Sequence, residues 1–211
     1  MAARILTVAQ QKGGAGKTTL AANLAVAYAQ AKKRVAVADI DPQRSLTMWH
    51  ALRQELNGED SGLTVSSVGG WKLAGEIDSL KRDHDIVIVD SPPHAETDAK
   101  IAVRQAHLVI IPVQPSPMDV WATEPILDMA AKEKSPVLLV LNRVPPRANL
   151  TDEMLFEIKD YGAKVAQSRI GNRVAFAGAM LKGLGVTEFQ SSGRAAQEIR
   201  ALGKEVLRLS A

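Results

Sequence analysis

Apolar and polar positions alternate along this chain in blocks that predict strands separated by helices. The runs 86–89, 108–111 and 137–141 are almost continuously apolar, which is typical of parallel strands buried on both faces. We predict strands at 4–9, 34–39, 63–68, 85–90, 107–113, 136–141 and 164–167. Helical spacing predicts helices at 17–31, 45–56, 71–82, 97–105, 120–133, 151–161, 173–182 and 194–208. The alternation predicts an α/β fold with a doubly wound, mainly parallel sheet and helices on both faces.

Length and composition set the class of protein. The chain has 211 residues, of which 46% are hydrophobic, enough to fill the core of one domain spanning 1–211. It begins its first predicted strand without a signal-peptide pattern, and no apolar run approaches the roughly 18 residues of a membrane span. We therefore expect a cytoplasmic protein. The sequence has no cysteine, which excludes disulfides and thiolate-held metal clusters.

A glycine-rich loop joins the first strand to the first helix and reads Lys12-Gly-Gly-Ala-Gly-Lys-Thr-Thr19. Such a loop lets backbone N–H groups converge on a phosphate, and the helix N-terminus adds partial positive charge. Lys17 is placed to reach the phosphates, and the Thr18 hydroxyl suits a Mg²⁺ ion. Gln11 occupies the position where the usual P-loop has its first glycine, so the loop is a variant. An ordinary strand-to-helix connection is the alternative.

Acidic side chains follow two further predicted strands. Asp39 and Asp41 follow the strand 34–39, and Asp90 ends the strand 85–90. Ligands of parallel sheets bind at the carboxyl ends of strands, where the glycine loop also lies. Because Asp39 and Asp41 are two residues apart at a strand end, they cannot perform the same task. Each aspartate could instead form a turn or cap a helix.

Three sequence blocks together resemble the ParA/MinD family of P-loop ATPases. They are the variant loop at 12–19, Asp39-Ile-Asp-Pro-Gln43, and Ile86-Val-Ile-Val-Asp90 followed by Ser-Pro-Pro93. The segments 109–119 and 137–143 extend the resemblance over nearly the whole chain. The segment Pro115-Ser-Pro-Met-Asp119 and the short length are most similar to small ParF-type plasmid partition ATPases. The resemblance implies a P-loop NTPase, a Rossmann-like three-layer fold.

The resemblance also implies ATP and Mg²⁺ as ligands. Its loop residues Gly13, Gly14, Ala15, Gly16, Lys17, Thr18 and Thr19 would bind the phosphates. Asp90 would hold the Mg²⁺ shell with Thr18, Asp39 would contribute to that shell or to structure, and Asp41 would organise the attacking water. Lys12 would reach across an ATP-dependent homodimer to the partner's phosphates.

The resemblance implies that two further segments lie near the adenine base of the nucleotide. Asn142 resembles the asparagine that binds adenine in this family, although it could equally cap the next turn. Pro115 and Asp119 belong to a stiff loop that lies near the base and the dimer interface in the family. A surface-lysine role for Lys12 and a purely structural role for this loop remain the alternatives.

Basic residues concentrate at the C-terminal end. Residues 1–142 hold 15 lysines and arginines against 16 acidic residues, whereas residues 163–211 hold 8 against 3, a net charge of +5. Few aromatic residues are interleaved, so we predict contacts to the phosphate backbone of non-specific DNA rather than base stacking. A solvated helix surface is the alternative. The candidate DNA-binding residues are Arg169, Arg173, Lys182, Arg194 and Arg200.

We therefore predict a weak ATPase that is stimulated by a partner, associates with the nucleoid and segregates plasmid or chromosomal DNA. The partner would be a centromere-binding or other activator protein. Alternative cargoes are a chemoreceptor cluster or a carboxysome. A MinD-like membrane protein is a further alternative, because Ile199, Leu202, Val206 and Leu209 form an apolar stripe, but we favour packing of that stripe on the sheet. A metabolic P-loop enzyme does not explain Lys12.

Overall fold

Seven parallel strands form one sheet in the computed structural model, which describes residues 3–58, 61–93, 96–146 and 162–211. The strands are β1 Arg4–Val8, β2 Val35–Asp39, β3 Thr64–Ser67, β4 Ile86–Asp90, β5 Leu108–Val113, β6 Val137–Leu141 and β7 Lys164–Val165. Their spatial order is β3-β2-β4-β1-β5-β6-β7, and every pairing is parallel. The prediction of a doubly wound parallel sheet is confirmed, with each predicted strand present.

Nine α-helices are described around this sheet. They are α1 Lys17–Gln30, α2 Ser45–Asn57, α3 Leu73–Asp83, α4 Glu96–Gln105, α5 Pro117–Trp121, α6 Glu124–Lys132, α7 Val174–Met180, α8 Val186–Phe189 and α9 Arg194–Leu209. A turn of 3-10 helix, Gly70–Lys72, precedes α3. The helix predicted at 151–161 lies outside the described residues.

Two helices differ from the sequence prediction. The single helix expected at 120–133 starts earlier, at Pro117 after the Ser116 cap, and is divided into α5 and α6 before Glu124, where Pro125 stands in the first turn of α6. The Ser116 Oγ accepts a bond from the Asp119 backbone N–H at 3.3 Å. The short helix α8 was not predicted. Its start is fixed by the Glu188 side chain, which accepts the Gly185 N–H at 3.0 Å.

The core is layered on the two faces of the sheet. On one face, α1, α2, α7, α8 and α9 pack over the central strands, with Leu6, Leu24 and Ile88 among the fully buried side chains. On the other face, two clusters lie beneath α3, α4 and α6. Helix α1 is rich in alanine and is buried along most of its length, because α9 covers the side that faces away from the sheet.

The carboxyl ends of β1, β2, β4 and β6 meet at one edge. The direction of winding changes at β1, since the chain first builds outward through β2 and β3 and later through β5, β6 and β7. Such a switch point leaves a crevice at the carboxyl ends of the strands, where open α/β sheets bind their ligands. The glycine loop leaves β1 at this point.

Close approach of Gly183 to α2 generates a stability prediction. Gly183 has φ +64°, and a Cβ there would lie 2.5 Å from the Arg53 Cα. Gly183→Ala is expected to lower the free energy of unfolding by about 2–5 kcal/mol, through left-handed strain and overpacking together. Urea denaturation measures this change.

Gly70→Ala is the matched control, because Gly70 has φ +63° with open space around its Cβ position. Its free energy of unfolding is expected to fall by only about 1–2 kcal/mol, the part that comes from left-handed backbone strain. Equal losses in the two variants would show that the approach of Gly183 to α2 is not close.

Candidate functional site

The loop between β1 and α1 is held from a neighbouring strand. Gly16 has φ +89° and immediately precedes α1, and a Cβ at this position would lie 2.5 Å from the Asn142 Nδ2. That same nitrogen donates a hydrogen bond of 2.7 Å to the Ala15 carbonyl. Glycine is therefore required at position 16 both for its conformation and for this close approach. The loop leaves the α1 N-terminus open, which is the geometry of a phosphate cradle.

The two lysines of the loop have different surroundings. Lys17 is buried, and its Nζ donates to the Lys12 carbonyl at 3.3 Å. Burial lowers the pKa of Lys17, while the negative charges of Asp90 and Asp41 oppose that change. The Lys12 side chain is 37% exposed, and its Nζ lies 2.7 Å from the Asp119 Oδ2. Lys17 therefore belongs to the cradle, whereas Lys12 stands on its rim and is held by an acid from α5.

Asp90 is a buried acid at the end of β4. It is 1% exposed, and within the described part of the chain neither of its carboxylate oxygens accepts a well-formed hydrogen bond. Burial raises the pKa of Asp90 to about 7. The nearby Thr18 hydroxyl and Lys17 ammonium oppose the rise, and the charge of Asp39 adds to it. A buried acid without a partner is unfavourable, so this side chain fits a position that a cation or its water shell would occupy.

Asp39 and Asp41 have the separate environments expected from their spacing. Asp39 is buried, and its Oδ2 accepts bonds from the Thr47 backbone N–H at 2.9 Å and from the Thr47 hydroxyl at 2.7 Å. Its Oδ1 accepts the Asp41 N–H at 3.2 Å. Asp41 accepts the Gln43 N–H at 2.9 Å and lines the open cleft. Asp39 thus fastens the start of α2, and Asp41 faces the place where a ligand would lie.

Thr18 and Asp90 fit a magnesium site best. The hydroxyl and carboxylate oxygens are ligands that Mg²⁺ takes in proteins, and Mg²⁺ is commonly held by one or two protein groups together with phosphates and water. The sequence left Asp39 either a place in the Mg²⁺ shell or a structural role, and its two oxygens accept bonds from Thr47 and Asp41. The structural role that the sequence left open for Asp39 is the one its contacts support.

A cleft of about 820 Å³ runs from the glycine loop across the edge of the sheet. At one end it is lined by the loop and the first turn of α1, and at the other end by the chain after β6 and β7 and by α7. The lining residues are Gly13, Gly14, Gly16, Lys17, Thr18, Thr19, Leu20, Asp41, Gln43, Ser45, Leu52, Pro93, Asn142, Arg143, Ile170, Gly171, Asn172, Arg173, Phe176, Ala177, Met180 and Leu181. The phosphate end is polar, and the far end is largely apolar.

Comparison with known proteins agrees with this geometry. The profile of the CobQ/CobB/MinD/ParA nucleotide binding domain matches residues 6–186, which include the end of β1, the loop and the strands β2 to β7. The chain belongs to this family. A nucleotide-binding domain therefore occupies most of the sequence, and the ParA/MinD resemblance is confirmed.

Members of the family are similar over their full lengths. The "Maintenance of carboxysome distribution protein A" of Halothiobacillus neapolitanus is 31% identical over 209 residues, covering 96% of this chain and 95% of that protein. The "Chromosome-partitioning ATPase Soj" of Thermus thermophilus is 28% identical over 240 residues, covering 97% and 95%. The ATP complex of Cyanothece McdA has a TM-score of 0.83 at 17% identity, covering 99% and 97%. This last likeness supports the fold.

Within this ParA/MinD-type site, the predicted base-end residues fall in two places. Asn142 lines the cleft, and one N–H of its amide donates to the Ala15 carbonyl, so the predicted adenine contact would use the second N–H or the amide oxygen. Pro115 and Asp119 do not line the cleft. Asp119 is 6% exposed and accepts bonds from Lys12 and from the Ser116 hydroxyl. Asp119 thus holds Lys12, and its contact with a nucleotide stays a prediction.

Sequence reasoning missed the far wall of the cleft. Arg143 and the segment 170–173 come together there, because the Val144 backbone N–H bonds to the Ile170 carbonyl and Val144 bridges to Gly171. Phe176 and Met180 of α7 complete the apolar end. Arg143 directly follows Asn142 at the end of a buried strand, and this position could have marked it as a residue of the cleft. Gly171, a few residues after β7, was a second signal.

The DNA-binding candidates also separate into groups. The Arg173 Nε lies 3.1 Å from a Glu198 carboxylate oxygen and the residue lines the cleft, so its predicted contact with DNA would compete with that ion pair. Lys182 is exposed and stacks over the Phe189 ring at 5.3 Å, and Arg169 is exposed. Arg194 and Arg200 lie on the outer side of α9, together with Lys204 and Arg208. We name these four residues of α9 the α9 basic face.

The inner side of α9 carries the apolar stripe. Ile199, Leu202 and Val206 have no exposed surface, and Leu209 packs partly against the same core cluster. The stripe is packed inside the protein, as predicted, although against α1 and α8 rather than directly on the sheet, so it is not available to a bilayer. In the described ranges, no helix is both long enough and apolar enough to cross a membrane.

The raised pKa of Asp90 predicts a pH-dependent stability. Its pKa of about 7 in the folded chain exceeds the ordinary value of 3.8, so the stability present at low pH is lost as the pH rises toward 7. Between pH 5 and pH 8 this loss is expected to be about 2–3 kcal/mol in metal-free protein. Urea denaturation in EDTA measures it.

Asp90→Asn should abolish this part of the pH dependence, and the variant should be more stable than the parent at pH 8. Mg²⁺ with nucleotide should raise the unfolding midpoint of the parent protein and leave that of the variant nearly unchanged. Parallel pH profiles for the two proteins would mean that Asp90 is not the titrating group.

Proposed function

We infer that the protein is an ATP-hydrolysing, ParA-type positioning ATPase that works as an ATP-dependent sandwich dimer on DNA. The observation that carries this inference is the pair of loop lysines. Lys17 fills the cradle, while Lys12 stands outside it with an exposed side chain. A lysine at the rim has a catalytic use only when the phosphates of a second copy face it. Lys12 therefore favours the MinD/ParA branch of the family over its metabolic members.

The nucleotide end of the proposed reaction uses residues of the cradle. The backbone of Gly13, Gly14, Ala15 and Gly16 and the N-terminus of α1 bind phosphate, and Lys17 neutralises its charge. Thr18 and Asp90 hold Mg²⁺, which would supply positive charge to the phosphate oxygens when bound. Asp41 lines the cleft next to the cradle and orients the attacking water.

Lys12 requires an exchange of partners in this scheme. In the single chain its ammonium group is bonded to Asp119, at 2.7 Å. The Lys12 side chain is 37% exposed and that of Asp119 only 8%, and the Ser116 hydroxyl also donates to the Asp119 carboxylate. Asp119 therefore keeps a hydrogen-bond partner when a phosphate of the second copy replaces it at Lys12. The Lys12 ammonium group then acts on the phosphate of the second copy, in the manner of an arginine finger, and raises the rate of hydrolysis. The isolated subunit is correspondingly a slow ATPase, which an activator protein stimulates.

The α9 basic face is the proposed contact with DNA. Arg194, Lys204 and Arg208 are exposed, and the described chain contains no hydrogen bond or ion pair to their side-chain cations. The Arg200 guanidinium bonds to the Thr187 and Ser191 carbonyls but remains at the surface. Two such faces in one dimer bind together, so the avidity of the dimer exceeds that of either face. Contacts of this kind bind phosphates without reading sequence.

The cargo has two candidates. Plasmid or chromosomal DNA, joined through a centromere-binding protein, is the cargo that the sequence suggested, and the similarity to Soj supports it. The 31% identity to a carboxysome distribution protein of nearly the same length supports a carboxysome-type cargo. The genes that flank this one discriminate between the two. In both cases the protein would work in the cytoplasm, on the nucleoid.

Nucleotide-dependent dimerisation is the first test. Asp41→Ala should bind ATP, hydrolyse it at less than a tenth of the parental rate, and accumulate as a dimer, because the water is no longer organised. Light scattering at tens of micromolar protein measures the dimer. ADP should leave the same variant monomeric.

Lys17→Ala is the matched control, since it removes the cradle's cation and should lose ATP binding and dimerisation together. Lys12→Ala should keep ATP binding but not the dimer. A monomeric Asp41→Ala variant that demonstrably holds ATP would exclude the sandwich.

DNA binding is the second test. With ATP, the protein should bind non-specific duplex DNA in a gel shift at about 50 mM salt, and the affinity should fall steeply as salt rises. Lys204→Ala with Arg208→Ala should weaken binding at least tenfold and reduce the logarithmic salt slope by about one for each phosphate-binding cation removed.

Arg82→Ala is the control for charge alone, because it removes a cation from α3 on the opposite face of the sheet. Its DNA affinity should equal that of the parent protein. An equal loss from Arg82→Ala would indicate a general effect of net charge instead of a defined surface.

A further inference from the structure

A short segment, Gly183 to Phe189, contacts both helices that leave the nucleotide site. It includes α8 and connects α7 to the chain before α9. Its contacts reach α1, which begins in the phosphate cradle, and α2, which begins four residues after Asp41. We name it the 183–189 segment.

The link to α2 is a buried ion pair. The Arg53 side chain is 9% exposed, and its two terminal nitrogens lie 2.8 and 2.7 Å from the two carboxylate oxygens of Glu188. The same guanidinium donates to the Gly183 carbonyl at 2.9 Å and to the Ser61 carbonyl at 3.1 Å. Burial raises the pKa of Glu188, but the bonds from Arg53 and the Gly185 N–H outweigh it, and the pKa lies below the ordinary value. The pair is therefore ionised and fully bonded at neutral pH.

The backbone adds a steric contact to this link. A Cβ at Gly183 would lie 2.5 Å from the Arg53 Cα and 2.7 Å from its backbone nitrogen. At the end of α2, the Asn57 amide donates to the Lys182 carbonyl at 3.1 Å. With backbone and side chains both in contact, α2 has no room to slide against the 183–189 segment.

The link to α1 is a buried amide. Asn23 has no exposed surface, and its Oδ1 accepts the Val186 backbone N–H at 2.8 Å. Its Nδ2 donates to the Thr19 carbonyl at 2.7 Å, in the first turn after the cradle. One side chain thus joins the phosphate-binding end of α1 to the start of α8.

The link to the surface passes through Arg200. Its guanidinium donates to the Thr187 carbonyl at 3.3 Å and also to the Ser191 carbonyl. Arg200 belongs to the α9 basic face, so the 183–189 segment touches the residues to which we assign DNA binding. Lys182, which stacks on Phe189, lies beside the same segment.

We propose that Asn23, Arg53 and Glu188 are positioning residues that couple the nucleotide state of the cleft to the DNA affinity of the α9 basic face. The proposal rests on the proposed function, which assigns a nucleotide to the cleft and DNA to the α9 basic face. A ligand that displaces the Asp41 loop or the first turn of α1 moves one of the two linked helices. The 183–189 segment follows, because separating a buried ion pair leaves a charge without a partner. Arg200 and its neighbours are then repositioned.

The coupling is measured as a ratio of affinities. In the parent protein, the dissociation constant for a non-specific duplex should be at least thirtyfold lower with ATP than with ADP. In Glu188→Gln, which keeps the shape but removes the charge, this ratio should fall at least threefold, to the part that dimer avidity alone supplies, while the affinity for ATP without DNA and the ATP-dependent dimerisation change by less than threefold. By linkage, DNA should tighten ATP binding by the parental factor in the parent protein and by the reduced factor in the variant.

Two further variants separate coupling from stability. Arg53→Lys keeps a cation but loses the bidentate geometry, and should show the same fall in the ratio. Asp85→Asn breaks the exposed pair of Arg34 and Asp85 and should leave the ratio unchanged. Thermal unfolding is followed for all of them. A lower melting temperature with an unchanged ratio in Glu188→Gln and Arg53→Lys would show a purely structural pair and overturn the proposal.

Hydrogen exchange gives a readout that does not need DNA. ATP, compared with ADP, should change the exchange of amides in 183–189 and α9 of the parent protein and not of Glu188→Gln. If the parent protein shows this change but binds no DNA, the proposed function fails and the coupling stands. If ATP alters those amides equally in both proteins, or in neither, the coupling is wrong.

Discussion

The unpartnered carboxylate of Asp90 is the constraint on which the arrangement of the nucleotide edge depends. Parallel pairing places Asp90 in register with Val8 on one side and Asp39 on the other, so the sheet itself brings two acids to one point. Thr47 compensates Asp39 with two bonds, and nothing equivalent satisfies Asp90 among the described residues. Lys17 compensates it only in part, because burial disfavours the charge of this lysine as well. The folded chain therefore holds an electrostatic deficit that a bound cation and its phosphates would remove.

Exposure decides which ion pairs of this protein can exchange partners. In the pair of Lys12 and Asp119 the lysine side chain is 37% exposed and the aspartate 8%, so water competes for the lysine charge, and Ser116 still bonds the aspartate when the lysine leaves. In the bidentate pair of Arg53 and Glu188 the arginine is 9% exposed and the glutamate 21%, and the guanidinium is also bonded to the Gly183 and Ser61 carbonyls, so separating them is less favourable. A pair with an exposed lysine beside the phosphates suits a group that changes partners during a reaction. A buried pair between two helices suits a joint that keeps its geometry.

Sequence predicted the features that depend on neighbouring residues. The seven strands, the cradle and the acids at strand ends follow from local runs and spacings, and they were placed correctly. The features it missed depend on contacts between distant residues. Asp119 holds Lys12 across 107 positions, and Arg173 is engaged by Glu198 across 25. The charge count therefore overestimated the number of unpaired cations, and the pairing of Asp119 with Lys12 had no local signal. Helix α8 is too short for a periodic pattern, and its start is fixed partly by Asn23, 163 positions away.

Helix α9 shows why an amphipathic pattern alone could not decide between lipid and protein as the neighbour of its apolar stripe. The same spacing suits both, and the outcome depends on whether α1 presents a surface against which α9 can pack. Gly203 lets the Tyr28 ring approach, and the Tyr28 hydroxyl donates to the Gly203 carbonyl at 3.1 Å. With its inner side joined to α1 in one core cluster, α9 is a rigid part of the domain and its basic face has little freedom of its own. A nucleotide signal must then reach that face by movement of packed elements, and the 183–189 segment is the element that contacts both α1 and α2.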